Sequence, residues 1–266
     1  MAKKIGYLTI DDAPTNDFRN KVDFLFQNNI PAIFFCIGRC INPVREKEII
    51  YAIQKGFLIG SHSWNHSNFE ELSETQIKEE ITKTDELLDR LYSKAGVKRK
   101  IKLFRFPFIK KGGKNRKYIQ TVLKNLGYKQ PKFEKITVTP YDEKKGDLDI
   151  SCTYDTMDWT VSDGSHMFGI KSLQDMYDRM DEDEPFKGRP LNYDKSNDII
   201  MMQRIQPGSL AAANGTESGL TQIIKKVVYK VTAFNGKIAT PRIYTTTLTQ
   251  PEITQNFNAT RNRFSI

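Results

Sequence analysis

Histidine is scarce in this chain, three among 266 residues, yet two of them, His62 and His66, stand four positions apart just after a short apolar run. That spacing predicts one helical turn presenting both imidazoles on the same side, close enough to grip one ion. A second concentration of chemistry, Asp11 and Asp12, follows the apolar run Ile5–Thr9. Adjacent carboxylates at a strand end point in different directions, so one can ligate a cation while the other faces a substrate. Asp12 with the two imidazoles leaves coordination positions open, as a catalytic zinc or similar divalent ion requires. Arg105, in Phe-Arg-Phe-Pro-Phe, ends a further run. Blander readings stand beside these: an Asp–Asp pair is commonly a turn or cap, and surface histidine pairs arise by chance.

The elements that must position these groups alternate. Ile5–Thr9, Ala32–Ile37, Phe57–Gly60, Ile101–Phe104, Leu148–Thr153 and Ile199–Met202 read as brief buried strands. Between them lie helical patterns at Asp17–Gln27, Val44–Lys55, Glu74–Ser93, Lys114–Leu126, Leu173–Met180 and Thr221–Phe234. In the third helix Ile77, Ile81, Leu88 and Leu91 share one face, and Ser73 with Gln76 spells a capping box. Alternation implies a parallel sheet, in an α/β fold that suits a closed or nearly closed barrel better than two domains, although an open sheet satisfies the pattern too. Either way the site belongs at the carboxyl ends of the strands, where the unusual polar residues stand. Tyr128–Gly146 reads as an irregular excursion. Residues 1–235 are expected to form the catalytic domain, and 236–266 a strand and tail packed on it.

Composition narrows the function classes. The net charge is +9, but 41 basic residues are scattered among 32 acidic ones, which describes a solvated basic surface and not a nucleic-acid footprint. No run approaches the roughly 20 apolar residues of a membrane span. No signal peptide is visible, so the compartment stays open: extracytoplasmic if a leader has been removed, cytoplasmic otherwise. Three cysteines, Cys36, Cys40 and Cys152, without a Cys-x-x-Cys pair, read as buried free thiols. Oligomeric state is not legible.

Four segments, Thr9-Ile10-Asp11-Asp12-Ala13-Pro14, His62-Ser63-Trp64-Asn65-His66, Arg105-Phe106-Pro107-Phe108 and Asp155-Thr156-Met157-Asp158-Trp159, resemble in order and spacing four of the five motifs of the polysaccharide deacetylase family, the NodB-homology domain of carbohydrate esterase family 4. The resemblance runs from about Ile5 to Val231. It implies a distorted (β/α)7 barrel of the NodB-homology type, and hydrolysis of the N-acetyl group of an amino sugar in chitin-like oligomers, peptidoglycan or a related glycan. It implies Asp11 as general base, and Asp12, His62 and His66 as ligands of one divalent ion, Zn2+ first and Co2+ or another second. The ion would lower the pKa of a water to about 7, and Asp11 would take its proton. The Phe108 N–H would stabilise the oxyanion; the family usually has Tyr there, but a backbone donor survives the change. Arg105 would hold a carboxylate and Asp158 would polarise the catalytic acid, while Trp64, Phe69 and Trp159 offer faces for a sugar ring, or simply core.

The fifth motif departs. The family strand ends in Leu-x-His, whose histidine protonates the departing amine; here Ile199-Ile200-Met201-Met202-Gln203 puts glutamine in its place. Losing a general acid costs about 10² to 10⁴ in rate, which predicts a slow enzyme before a dead one. The remaining histidine, His166, is one candidate replacement; Asp158 or a nearby lysine is another. A carbohydrate-binding protein that keeps the metal but has shed catalysis is a competing reading, supported by Gln203. An iron oxygenase built on two histidines and a carboxylate is a third, although a second aspartate beside the first suits hydrolysis.

Overall fold

The computed structural model describes residues 5–162, 165, 167–181, 191, 196–203 and 237–238. Its centre is parallel. Strand β1 (Ile5–Ala13) pairs on one side with β2 (Ala32–Cys36), which pairs with β3 (Leu58–Ser61). On its other side β1 pairs with β5 (Asp198–Met202), which pairs with β4 (Tyr154–Asp155). Two residues, β6 (Lys237–Ile238), pair with the start of β1. The helices are α1 (Phe18–Gln27), α2 (Pro43–Gln54), α3 (Glu74–Lys94), α4 (Arg116–Asn125), α5 (Asp158–Ser162) and α6 (Leu173–Asp181).

Extended segments complete the wall between β3 and β5. The Ser61 N–H donates to the Leu103 carbonyl at 2.7 Å and the Arg105 N–H to the Ser61 carbonyl at 3.0 Å. Farther round, the Ile150 N–H donates to the Phe104 carbonyl at 2.8 Å and the Thr153 N–H to the Ile199 carbonyl at 2.9 Å. Backbone bonding thus passes round the ring, and the expected parallel barrel is present, formed among the described residues by six chain segments. Two expected strands are altered. Ile101–Phe104 forms only isolated bridges, Ser61 with Phe104 and Lys102 with Tyr128, and the ladder expected over Leu148–Thr153 is confined to Tyr154–Asp155. The physical reason lies in Arg105, whose guanidinium takes the Ile150 and Ser151 carbonyls at 3.0 and 3.1 Å, acceptors a neighbouring strand would otherwise use.

Side-chain alternation sorts the core into layers. Ile33, Phe35, Leu103, Ile150, Cys152, Ile199 and Met201 fill the barrel interior. Their neighbours Leu8, Ile10, Phe34, Cys36, Ile59, Ile200 and Met202 pack outward with Phe18, Val22 and Leu25 of α1, Ile49 and Ile53 of α2, and Leu88 and Leu91 of α3. Gly60 faces inward where an added Cβ would lie 2.7 Å from the Phe35 ring, so only glycine fits. The capping box is formed: the Ser73 hydroxyl accepts the Gln76 N–H, and the Gln76 side chain accepts the Ser73 N–H at 2.9 Å. At α2 the Asn42 side chain accepts the Val44 and Arg45 N–H groups, a cap worth about 1 kcal/mol. Tyr128–Gly146 contains neither helix nor strand. Cys36 and Cys152 are buried thiols, and Cys40 is half-buried. The expected helix Thr221–Phe234, and the 236–266 tail apart from β6, lie outside the described residues.

Candidate metal centre and active site

Strand β1 delivers Asp11 and Asp12 to the carboxyl end of the barrel, and the chain leaving β3 delivers His62 and His66 beside them. One ligand atom from each of Asp12, His62 and His66 lies within 4.8 Å of the others. Asp12 Oδ1 stands 3.1 Å from His66 Nε2 and 3.5 Å from His62 Nε2. The imidazole centroids are 5.0 Å apart. His62 Nδ1 lies 2.9 Å from the Arg105 carbonyl, which can only accept, so that nitrogen carries the proton and Nε2 turns a bare lone pair toward Asp12. Burial holds the His62 pKa below its usual value against the opposing pull of Asp11 and Asp12, favouring the neutral ring a metal needs. Donor types, spacing and tautomer all fit a divalent cation.

The histidines do not sit on a helical turn. Residues 62–66 form a bend in which Ser63 (φ 65°) and His66 (φ 60°) are left-handed, so the expected turn is replaced by a loop. Such conformations cost about a kcal/mol or more for residues with side chains and persist only when surroundings fix them. Asp12 (φ 58°) and Phe108 (φ 58°) share this feature, so four residues around the cluster are held in left-handed backbone.

Asp11 is 2% exposed and is gripped by Arg105, whose Nη1 lies 2.9 Å from Asp11 Oδ1 and 2.6 Å from Thr9 Oγ1. Its other oxygen, Oδ2, stands 3.9 Å from His62 Nε2. The Arg105 guanidinium also lies 4.6 Å from the centre of the Phe35 ring, filling the barrel beneath the site. Phe108, 58% exposed, sets its ring edge-on to His66 at 4.5 Å, at the mouth.

On the far wall the register of β1 with β5 pairs Ile10 with Met202, which places Gln203 level with Asp11. Ile199 and Met201 face the interior, so alternation turns Gln203 to the same side. Asp158 is fully buried, and its carboxylate accepts the Gln203 backbone N–H at 2.9 and 3.0 Å and the Thr156 hydroxyl at 2.6 Å. Burial pushes its pKa up to about 7, against the downward pull of those two donors.

The remaining aromatic candidates separate. Phe69 is buried between Phe104 and Phe106 and is core. Trp64 packs against Gly38, where an added Cβ would lie 2.4 Å from its ring, and the Lys83 ammonium sits over it at 4.2 Å. It packs between the Gly38–Cys40 turn and α3, where it lines a cavity with Asn65, Ser67 and Lys83. Trp159 is partly buried against the outer core. His166 lies outside the described residues.

Sequence reasoning missed Glu80. This buried α3 carboxylate accepts the N–H groups of Trp64 and Asn65 at 3.0 and 2.7 Å and the Asn65 side-chain amide at 2.6 Å. It stands on the apolar side of α3, beside Ile77 and Ile81, and that break in the pattern is the one sequence signal that could have marked it.

The polysaccharide deacetylase family model matches residues 1–131, the stretch that carries the aspartate pair, the histidine pair and Arg105. A peptidoglycan-N-acetylglucosamine deacetylase of Bacillus cereus is 37% identical over 86 residues, 32% of this chain and 30% of that protein. A bifunctional xylanase/deacetylase of Pseudobutyrivibrio xylanivorans is 29% identical over 107 residues, 40% of this chain and 17% of that one. The chain thus spans under a third of these curated relatives. Among solved structures, the chitin deacetylase of Colletotrichum lindemuthianum superposes with a TM-score of 0.60 at 16% identity, covering 90% of this chain and 86% of that one. A family 4 pseudoenzyme of Bacillus anthracis gives 0.58 at 18% identity, covering 89% and 63%. At such identities the likeness shows the fold, the NodB-type barrel. Residues 1–131 thus match the polysaccharide deacetylase family, and the described fold is the NodB-type barrel of carbohydrate esterase family 4 structures.

Proposed function

We propose that this protein is a slow, metal-dependent N-deacetylase of acetylated amino sugars in a glycan, a chitin-like oligomer, peptidoglycan or a relative. The observation that carries the reading is the convergence of Asp12, His62 and His66 within 4.8 Å, with Asp11 beside them. Those three residues would hold the ion, with zinc first and cobalt second by donor type; when bound it supplies Lewis acidity to water and to the acetamide carbonyl. Asp11 is the base. Its Oδ1 is committed to Arg105, so Oδ2, turned toward His62, is the atom that receives the proton of the attacking water. Arg105 fixes that carboxylate in one orientation, and the Phe108 backbone amide is the proposed donor to the developing oxyanion.

The amine must leave with a proton. Gln203 occupies the position proposed for the acid and cannot supply one, and Asp158 grips the Gln203 backbone instead of an imidazole. The proton taken up by Asp11 is then the nearest source, so one carboxyl group serves both half-reactions and turnover falls by about 10² to 10⁴. His166 remains a candidate acid, removed from that role if a His166→Ala variant keeps full turnover.

Acetate release from acetylated chitooligosaccharides with added zinc or cobalt tests the proposal: slow, Asp11-dependent release is expected. Gln203 favours a second reading, a carbohydrate-binding protein that retains the metal. Glycan binding and zinc uptake with no acetate released would establish that alternative.

A further inference from the structure

The segment between the two histidine ligands belongs to no helix or strand, yet most of its backbone polar groups have a partner. The Ser63 and Trp64 carbonyls accept the Gly38 and Arg39 N–H groups at 3.0 and 3.1 Å. The His66 N–H donates to the Ser63 hydroxyl at 3.0 Å. The two N–H groups left between them, of Trp64 and Asn65, both donate to Glu80 Oε2, while Glu80 Oε1 takes the Asn65 side-chain amide. One buried carboxylate on a rigid helix therefore takes the two consecutive N–H groups at the centre of a loop whose left-handed Ser63 and His66 it helps to hold. Hydrogen bonds to an ionised acceptor are roughly twice as strong as neutral ones.

We propose that Glu80 is a positioning residue for the metal centre: by pinning Trp64 and Asn65 it sets the separation of His62 and His66, and hence the affinity for the cation. This rests on the metal reading of Asp12, His62 and His66. Glu80 touches neither the ligand atoms nor any substrate position and acts through the loop. Partners one step removed from a metal typically govern 10- to 100-fold of affinity. Glutamine is the graded substitution: its carbonyl oxygen can still accept both backbone N–H groups, and Asn65 can rotate its amide to accept from the new NH2.

The test is calorimetric titration of the metal-free protein with zinc chloride, with affinity referred to the folded fraction measured by circular dichroism. Glu80→Ala is expected to bind zinc roughly 10- to 100-fold more weakly, and Glu80→Gln severalfold more weakly. Glu79→Ala, the exposed neighbour, should match wild type. Should Glu80→Ala fail to fold, Glu80→Gln decides the matter alone. Wild-type affinity in the Glu80 variants overturns the inference and leaves the metal centre standing; a wild-type protein that takes up no zinc overturns both.

Discussion

Replacing Arg105 with lysine keeps a cation beside Asp11 but removes the fork that joins four acceptors. Arg105 Nε and Nη2 hold the Ile150 and Ser151 carbonyls, and Nη1 holds Thr9 and Asp11, all inside the barrel with the arginine 1% exposed. A lysine ammonium can keep the Thr9 and Asp11 contacts and loses both carbonyls. Each buried carbonyl left without its donor costs about 1–3 kcal/mol, so losing both should cost Arg105→Lys roughly 2–6 kcal/mol. For a domain of this size that is a fall in melting temperature of about 5–15 °C. Arg105→Met should cost more, because it also strands the buried Asp11 carboxylate, a loss of about 3–5 kcal/mol for a broken buried pair. Adding Asp11→Asn to Arg105→Met should then recover part of the deficit, giving a coupling of about 0.5–3 kcal/mol. Urea unfolding of the two single variants and the double variant measures each quantity. Arg105→Lys unfolding at the wild-type midpoint, or strictly additive single variants, would refute the assignment of Arg105 as the bolt between base and barrel seam.

Two further outcomes follow from the far wall. Gln203→His should raise kcat for deacetylation at least about tenfold, since a general acid contributes 10² to 10⁴ when well placed, and unchanged turnover would mean that no acid was missing. Asp158, with its pKa raised to about 7, makes its stabilising contribution below its unfolded value near 3.8, and loses it as pH rises through 7. Wild type should therefore lose stability relative to Asp158→Asn between about pH 4 and 7, by a few kcal/mol, and the gap should flatten above that window. A pH-independent difference in urea midpoints would exclude the raised carboxyl.

The parts of the site legible in the sequence were those written by residue type near strand ends. Asp11, Asp12, His62, His66 and Arg105 all follow apolar runs, and parallel topology brings such ends together. The resemblance put Gln203 at the position of the fifth-motif histidine, but its level with Asp11 follows only from the register of β1 with β5. Backbone accounting was not legible. The i, i+4 spacing suggested a helical turn, but that loop is shaped by Glu80, fourteen residues beyond His66, and by the Gly38–Cys40 turn, long-range partners that no local pattern announces. The seam at 101–105 and 148–153 misled for a similar reason: its residues have strand-like composition, but an arginine side chain took acceptors that a ladder would have used. Trp64 shows the limit of reading aromatics by type, since an indole beside a histidine ligand turned out to pack on Gly38.

The most direct test of the central claim is zinc titration of the metal-free protein with the ligands removed one at a time. Wild type should bind one equivalent, and Asp12→Ala, His62→Ala and His66→Ala should each lose saturable binding while keeping the wild-type circular dichroism spectrum. Zinc binding that survives in all three variants, or more than one tight equivalent in wild type, would contradict the account.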